Sequence, residues 1–145
     1  MRIVHKDALG LIKRFEGFRA DPYFCPAGKL TVGYGHVFPA KEPLFSVTQQ
    51  EAEILLTQDI EWAAQAVESL VKVSLSGEEF GALVSFVYNV GAGAFKNSTL
   101  LRKLNAGDFR GARKEFLRWT KANGRELPGL VTRRHAEAQL FLPED

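Results

Sequence analysis

Apolar residues recur along this chain at helical spacing almost from its start. Leu9, Ile12 and then Glu16 fall at i, i+3 and i+7, with Lys6, Lys13 and Arg14 elsewhere on the wheel. The spacing predicts a short amphipathic helix over 6–16, with Glu16 ending its apolar face. From Phe18 to His36 the pattern turns to short segments punctuated by Gly and Pro. There Leu30, Val32 and Tyr34 alternate with Thr31, Gly33 and Gly35, which is strand periodicity. Thr48-Gln-Gln-Glu51 has the form of a capping box, and it predicts a long helix over about 48–70 whose apolar seam is Leu56, Ile60, Ala63, Val67 and Leu70. At roughly 1.5 Å per residue such a helix is long enough to span two lobes.

Ser76-Gly-Glu-Glu79 repeats the capping-box signature ahead of Phe80, Leu83, Val84 and Val87, which predict a core helix. Asn89 to Gly93 breaks it. Leu100, Leu101 and Leu104 predict a short helix closed by Gly107, and Asp108 is placed to cap another carrying Phe109, Ala112, Phe116 and Trp119. Asn123-Gly124 reads as the end of that helix, and a last one is expected from near Pro128 to about Leu142. The predicted architecture is α+β in a single domain over 1–145. A small lobe with a short antiparallel sheet occupies about 16–47, a bridging helix about 48–70, and a larger helical lobe about 71–145 together with the N-terminal helix.

Composition adds bounds. With 145 residues, 46% hydrophobic and 25% charged, the chain suits a soluble protein with one sizeable core. The longest apolar stretch near the N-terminus, Ala8 to Ile12, falls short of the about 7–15 residues of a signal peptide. The longest uncharged stretch, Gly81 to Phe95, is interrupted by Ser85, Asn89 and three glycines. No membrane insertion is expected, and the expected location is the cytoplasm. The single cysteine, Cys25, excludes an intramolecular disulfide, and histidines at 5, 36 and 135 have no metal-site spacing, so neither metal nor cofactor is expected. The net charge of +2 conceals an asymmetry: residues 102–134 carry ten Lys/Arg against three Asp/Glu, +7 in all, leaving −5 elsewhere. That segment favours a polyanion. No stacking platform of aromatics interleaves the basic residues, which argues against nucleic acid. An anionic cell envelope and an ordinary solvated helix surface both remain open.

Two features suggest chemistry. Glu16, at a helix end on the apolar side, is expected to have its pKa raised by partial desolvation, as a general acid requires; a surface carboxylate that merely ends a helix is the plainer reading. In Gly28-Lys-Leu-Thr-Val-Gly-Tyr-Gly-His36, the face with Thr31, Gly33 and Gly35 is nearly bare, which fits the floor of a substrate groove or a tight bend in the sheet.

The stretch Phe15-Glu-Gly-Phe-Arg-Ala-Asp-Pro-Tyr-Phe-Cys-Pro-Ala-Gly-Lys-Leu-Thr-Val-Gly-Tyr-Gly-His36 resembles the active-site region of the phage lysozymes, or endolysins. Their pattern is a glutamate, eight residues, an aspartate or cysteine, five residues and a threonine, here Glu16, Cys25 and Thr31. Similarity continues through Tyr88–Phe95, Leu100–Asp108 and Leu127–Arg134. The resemblance implies a muramidase that cleaves the β-1,4 bond between N-acetylmuramic acid and N-acetylglucosamine in bacterial peptidoglycan. Glu16 would be the general acid and Thr31 would position the attacking water. Cys25 replaces the commoner aspartate with a thiol whose ordinary pKa of about 8.5 keeps it mostly neutral. The resemblance also implies that His36 buttresses the sheet, that Arg133 or Arg134 supplies a cation near Glu16, and that Gly33, Gly35, Val37, Tyr88 and Ser98 line the sugar groove. It implies a monomer that reaches the wall through a separate membrane pore, such as a holin.

Two other readings remain. In one, Cys25 is the nucleophile of a wall peptidase or amidase with His36 or His135 as base; Pro26 follows the cysteine and no orienting carboxylate follows either histidine. In the other, the chain binds the wall without cleaving it, a reading that leaves Glu16 without a purpose.

Overall fold

The computed structural model describes residues 2–25 and 28–144. The chain has the expected mixed α+β class and divides into two compact units, residues 13–61 and residues 1–12 with 62–145.

Helix α1 (Lys6–Glu16) has the predicted bounds and buries Ala8 and Ile12. Gly17, at φ +73°, ends it and donates its N–H to the Lys13 carbonyl at 2.9 Å. In the unit formed by residues 13–61, strands β1 (Arg19–Phe24), β2 (Leu30–Gly33) and β3 (His36–Val37) follow in an antiparallel sheet of that order. Arg19 pairs with Gly33 and Tyr23 with Thr31, so β1 carries surplus residues between them. Pro22, which has no N–H for a ladder, sits in that bulge. The single run of strand alternation to His36 does not persist. Strand β2 stops at Gly33, and the chain turns through Tyr34 and Gly35 into β3, with Gly33 at φ +66° and Gly35 at φ +83°. These are left-handed conformations that favour glycine, so the glycines encode a hairpin.

Helix α2 (Gln49–Asp59) packs on this sheet. Its capping box is complete: Glu51 N–H donates to Thr48 Oγ1 at 3.1 Å, and Thr48 N–H to the Glu51 carboxylate at 2.8 Å. The long helix expected over 48–70 is divided, because α2 ends at Asp59, Ile60 forms a C-cap turn, and α3 (Glu61–Leu70) begins anew. Leu56, Ile60, Ala63 and Val67 are all buried, so the apolar spacing did not reveal the backbone turn between them.

In the other unit, α4 (Gly77–Val90) is the core helix, with every residue from Phe80 to Val87 buried. Its Ser76 capping box is also complete. It packs against α8 (Pro128–Phe141). Around Phe86 the rings of Phe95, Phe116 and Trp119 gather edge-on at 5.2–6.3 Å between centroids. Helices α5 (Ala92–Lys96), α6 (Thr99–Asn105) and α7 (Phe109–Phe116) complete this layer, with Asp108 capping α7 through the Gly111 N–H as predicted. Asn123-Gly124 does not end α7. It is the tip of a hairpin between β4 (Lys121–Ala122) and β5 (Arg125–Glu126), with φ +53° and +77° at the two tip residues. Asn-Gly is a characteristic pair for such a turn. Among the described residues, no helix is long and apolar enough to cross a membrane.

Candidate active site

The three residues expected to be catalytic, Glu16, Cys25 and Thr31, lie in the unit of residues 13–61, and local structure ties them to its sheet. Glu16 is the last residue of α1, half-buried, and its carboxylate lies against the backbone of Gly35. A Cβ built on Gly35 would stand 2.8 Å from Glu16 Oε1 and 3.4 Å from its Cδ. Gly35 is therefore required twice, for the left-handed turn and for the space the carboxylate occupies.

Thr31 and Cys25 meet at one acceptor. The Lys29 carbonyl takes the Thr31 hydroxyl at 2.9 Å and the Cys25 N–H at 2.9 Å. With its proton committed to Lys29, the Thr31 hydroxyl presents only lone pairs to any further partner, so it accepts a hydrogen bond from whatever binds there. Thr31 is 2% exposed.

The strand register assembles a row across the sheet. Thr31 is opposite Tyr23 on one side and Val37 on the other, so the three side chains share a face. Val37 is 45% exposed on it. Tyr23 was not singled out from the sequence; only the pairing register, which sets it opposite Thr31, identifies it. The Arg19 guanidinium sits 4.4 Å over its ring. Burial first, then the charge of Glu16, and more weakly that of Cys25, push the Tyr23 phenol pKa up against the opposing pull of Arg19. Tyr23 thus stays protonated at neutral pH and feels both candidate catalytic groups.

Other expected residues have different surroundings. Gly33 is buried, and a Cβ placed there would meet the Ala52 side chain of α2 at 3.0 Å. The bare face imagined as a groove floor is, at Gly33, a close helix-on-strand contact. His36 pairs with Val32 rather than Thr31 and so lies on the opposite face of the sheet. Its Nδ1 bonds the Asp59 carboxylate at 2.9 Å, and its ring stacks on Phe45 with centroids 6.3 Å apart. Burial, the largest influence, holds the Asp59 carboxyl above its usual range against the opposing pull of His36. The orienting carboxylate missing from the local sequence is thus supplied by α2, yet the histidine it orients faces away from Thr31 and is not placed to be a base for chemistry there.

In the unit that contains α4 and α8, Ser98 is 4% exposed and caps α6: its hydroxyl donates to the Phe95 carbonyl at 2.7 Å and accepts from Leu101 N–H at 3.0 Å. Both uses are internal, the first to the turn before α6 and the second to its first turn. Arg133 and Arg134 flank the fully buried Glu137. Arg133 Nε bonds Glu137 at 3.2 Å and its Nη2 bonds the Ser85 carbonyl at 3.1 Å, while Ser85 Oγ donates to Glu137 at 2.5 Å. Arg134 bonds Glu137, Asn89 and, at 2.8 Å, the Trp119 carbonyl, so each of its nitrogens is engaged within this unit. Burial pulls its pKa down and Glu137 opposes that. Arg134 is thereby assigned to the core of the helical unit. Tyr88 stacks on Trp62 with centroids 5.9 Å apart. Among the described residues, no three His, Cys, Asp or Glu side chains gather as a metal would need.

The family model described as phage lysozyme matches residues 13–137. An endolysin of Acyrthosiphon pisum secondary endosymbiont phage 1 is 44% identical over 95% of this chain and 97% of its own length. An endolysin of Bacillus phage B103 is 45% identical over 96% of this chain, which spans only 54% of that relative. Among solved structures, the muramidase domain of SpmX from Asticaccaulis excentricus superposes with a TM-score of 0.89 at 38% identity, covering 98% of this chain and 99% of that one.

Proposed function

This chain belongs to the phage lysozyme family, and we propose that it is a peptidoglycan hydrolase whose Glu16 protonates the glycosidic oxygen between N-acetylmuramic acid and N-acetylglucosamine. As that C–O bond breaks, a water held by the Thr31 lone pairs adds its oxygen to the anomeric carbon, and its spare proton returns to Glu16 through solvent. Cys25, joined to Thr31 through the Lys29 carbonyl, assists the water as a hydrogen-bonding partner and is not a covalent nucleophile. A thioglycoside would be a stable linkage and a poor intermediate. The observation that carries the reading is the seat of Glu16 on Gly35, in the unit whose sheet holds Thr31 and Cys25 on one carbonyl.

Glu16→Gln tests it. The amide cannot donate the proton, and general acid catalysis is worth about 10²–10⁴ in rate. Clearing of a suspension of bacterial walls should nearly cease while circular dichroism is unchanged; retention of more than about a tenth of the rate contradicts the assignment. The proposal includes access to the wall through a separately supplied membrane pore. Cells expressing the protein should lyse when the inner membrane is permeabilised and not before.

A further inference from the structure

We propose that the Tyr23 hydroxyl hydrogen-bonds an oxygen substituent of the pyranose whose glycosidic bond is cleaved, which makes Tyr23 a substrate-binding residue beside Glu16, Cys25 and Thr31. The proposal rests on the reading of this chain as a glycan hydrolase. The unit of residues 13–61 carries six hydroxyl side chains. Five are engaged with protein groups. Thr31 donates to the Lys29 carbonyl, Ser46 to Asp21 and Thr57 to the Glu53 carbonyl, while Tyr34 accepts from Gln49 and Thr48 from the Glu51 N–H. Tyr23 is the sixth. Among the described residues its hydroxyl has no hydrogen-bond partner, and it is not sealed from solvent. A phenol that reaches water can exchange that water for a ligand oxygen at little cost.

Its place in the sheet sets it among the reacting groups. Tyr23 pairs with Thr31 across β1 and β2, so both side chains rise from the same face. The register shift in β1 falls between Arg19 and Tyr23, and a bulge of this kind re-aims the side chains next to it. The Arg19 guanidinium, 4.4 Å from the ring centroid, covers one face of the ring and limits its swing.

Packing alone does not call for the hydroxyl, because a phenylalanine ring would lie under Arg19 equally well. Burial, then the charge of Glu16 and, behind the opposing Arg19, that of Cys25 push the phenol pKa up, so the group lies within electrostatic reach of both. At neutral pH it is therefore a protonated donor. The sugars of the wall glycan supply acceptors in their hydroxyl, acetamido and ether oxygens.

Tyr23→Phe removes the hydroxyl and keeps the ring. Steady-state cleavage of soluble uncross-linked peptidoglycan strands should show kcat/KM lowered about threefold to tenfold, the range for one neutral hydrogen bond. Thermal melts should be unchanged. In Glu16→Gln protein, which leaves the strands intact, added Tyr23→Phe should weaken their dissociation constant by a similar factor. Nuclear magnetic resonance of protein isotope-labelled at tyrosine Cζ reads the contact itself. The Tyr23 signal, assigned by its loss in Tyr23→Phe, should move when strands are added to Glu16→Gln protein and stay in place with isolated stem peptide. The proposal is overturned if Tyr23→Phe cleaves as fast as its parent, if the strands do not bind or leave the Tyr23 signal in place, or if stem peptide moves it equally. A slowed Tyr23→Phe with unchanged strand affinity would also overturn it, because the hydroxyl would then serve the attacking water and not the sugar. Wild-type cleavage products are read separately: glycan cleavage with Tyr23 indifferent would remove only this contact, whereas no glycan cleavage would remove the hydrolase reading.

Discussion

Gly35→Ala should damage catalysis far more than folding. The substitution has two separable effects. Gly35 has φ +83°, where a Cβ costs on the order of 1–2 kcal/mol. In a chain of this size each kcal/mol lowers the melting temperature by about 2–4 °C, so a modest loss is expected. The second effect is local. The new methyl would stand 2.8 Å from Glu16 Oε1, whereas ordinary van der Waals contact begins at 3.4 Å. The carboxylate is the free end of a flexible side chain, so it gives way and the fold survives. It gives way, however, from the position in which it donates its proton. A displacement near 1 Å in a reacting group costs about 10²-fold in rate, so we expect a loss of between roughly tenfold and a hundredfold. Gly107→Ala is the control, because Gly107 has φ +85° and nothing within 4 Å of its added Cβ. Both variants should melt a few degrees early; only Gly35→Ala should clear walls slowly. Near-normal lysis by Gly35→Ala, or an equal activity loss in Gly107→Ala, would refute the claim that the Glu16 seat on Gly35 is the working geometry.

Further predictions concern the neighbouring groups. Cys25→Ala should slow wall lysis substantially and Cys25→Asp should restore much of it; a trapped covalent adduct on Cys25 would show a nucleophile instead. Glu137→Gln leaves the two guanidiniums that it joins without their shared anion, and since breaking a buried pair costs about 3–5 kcal/mol, urea unfolding should show a loss of that order; a loss below about 1 kcal/mol would mean the network is not cooperative. Asp59 has a folded pKa above its unfolded value, so the folded state binds the proton more readily and the stability from this group falls as pH rises from about 3.8 through the raised value. The stability of the wild type relative to Asp59→Asn should therefore decline across that window, and a rise would show that attraction to His36 outweighs burial.

Much of this was legible in the sequence because its signals were local. The apolar spacing that stops at Glu16 and the glycine that follows set the end of α1, and the Thr48 and Ser76 boxes marked two helix starts because each closes within four residues. The break at Ile60 was hidden, since the seam residues on both sides are buried and neither Gly nor Pro interrupts them. The glycines at 33 and 35 were visible as unusual, but a groove floor and a bend differ only in what approaches them: Ala52 at one, the Glu16 carboxylate at the other. Asn123-Gly124 carried a hairpin signal that a helix-ending reading overrode. The partners of His36, Ser98 and Arg134 come mostly from other elements or from several bonds at once, so residue type alone could not assign them. Tyr23 needed the pairing register, because nothing in its immediate sequence sets it opposite Thr31.

The central claim is glycan hydrolysis by Glu16 with water as the nucleophile, and mass spectrometry of fragments released from purified sacculi tests it most directly. The account predicts muropeptides ending in reducing N-acetylmuramic acid, with none released above background by Glu16→Gln. Anhydromuramic ends would mean that the muramic acid's own hydroxyl displaced the leaving group, and free stem peptides would mean cleavage of a different bond; either result contradicts the account.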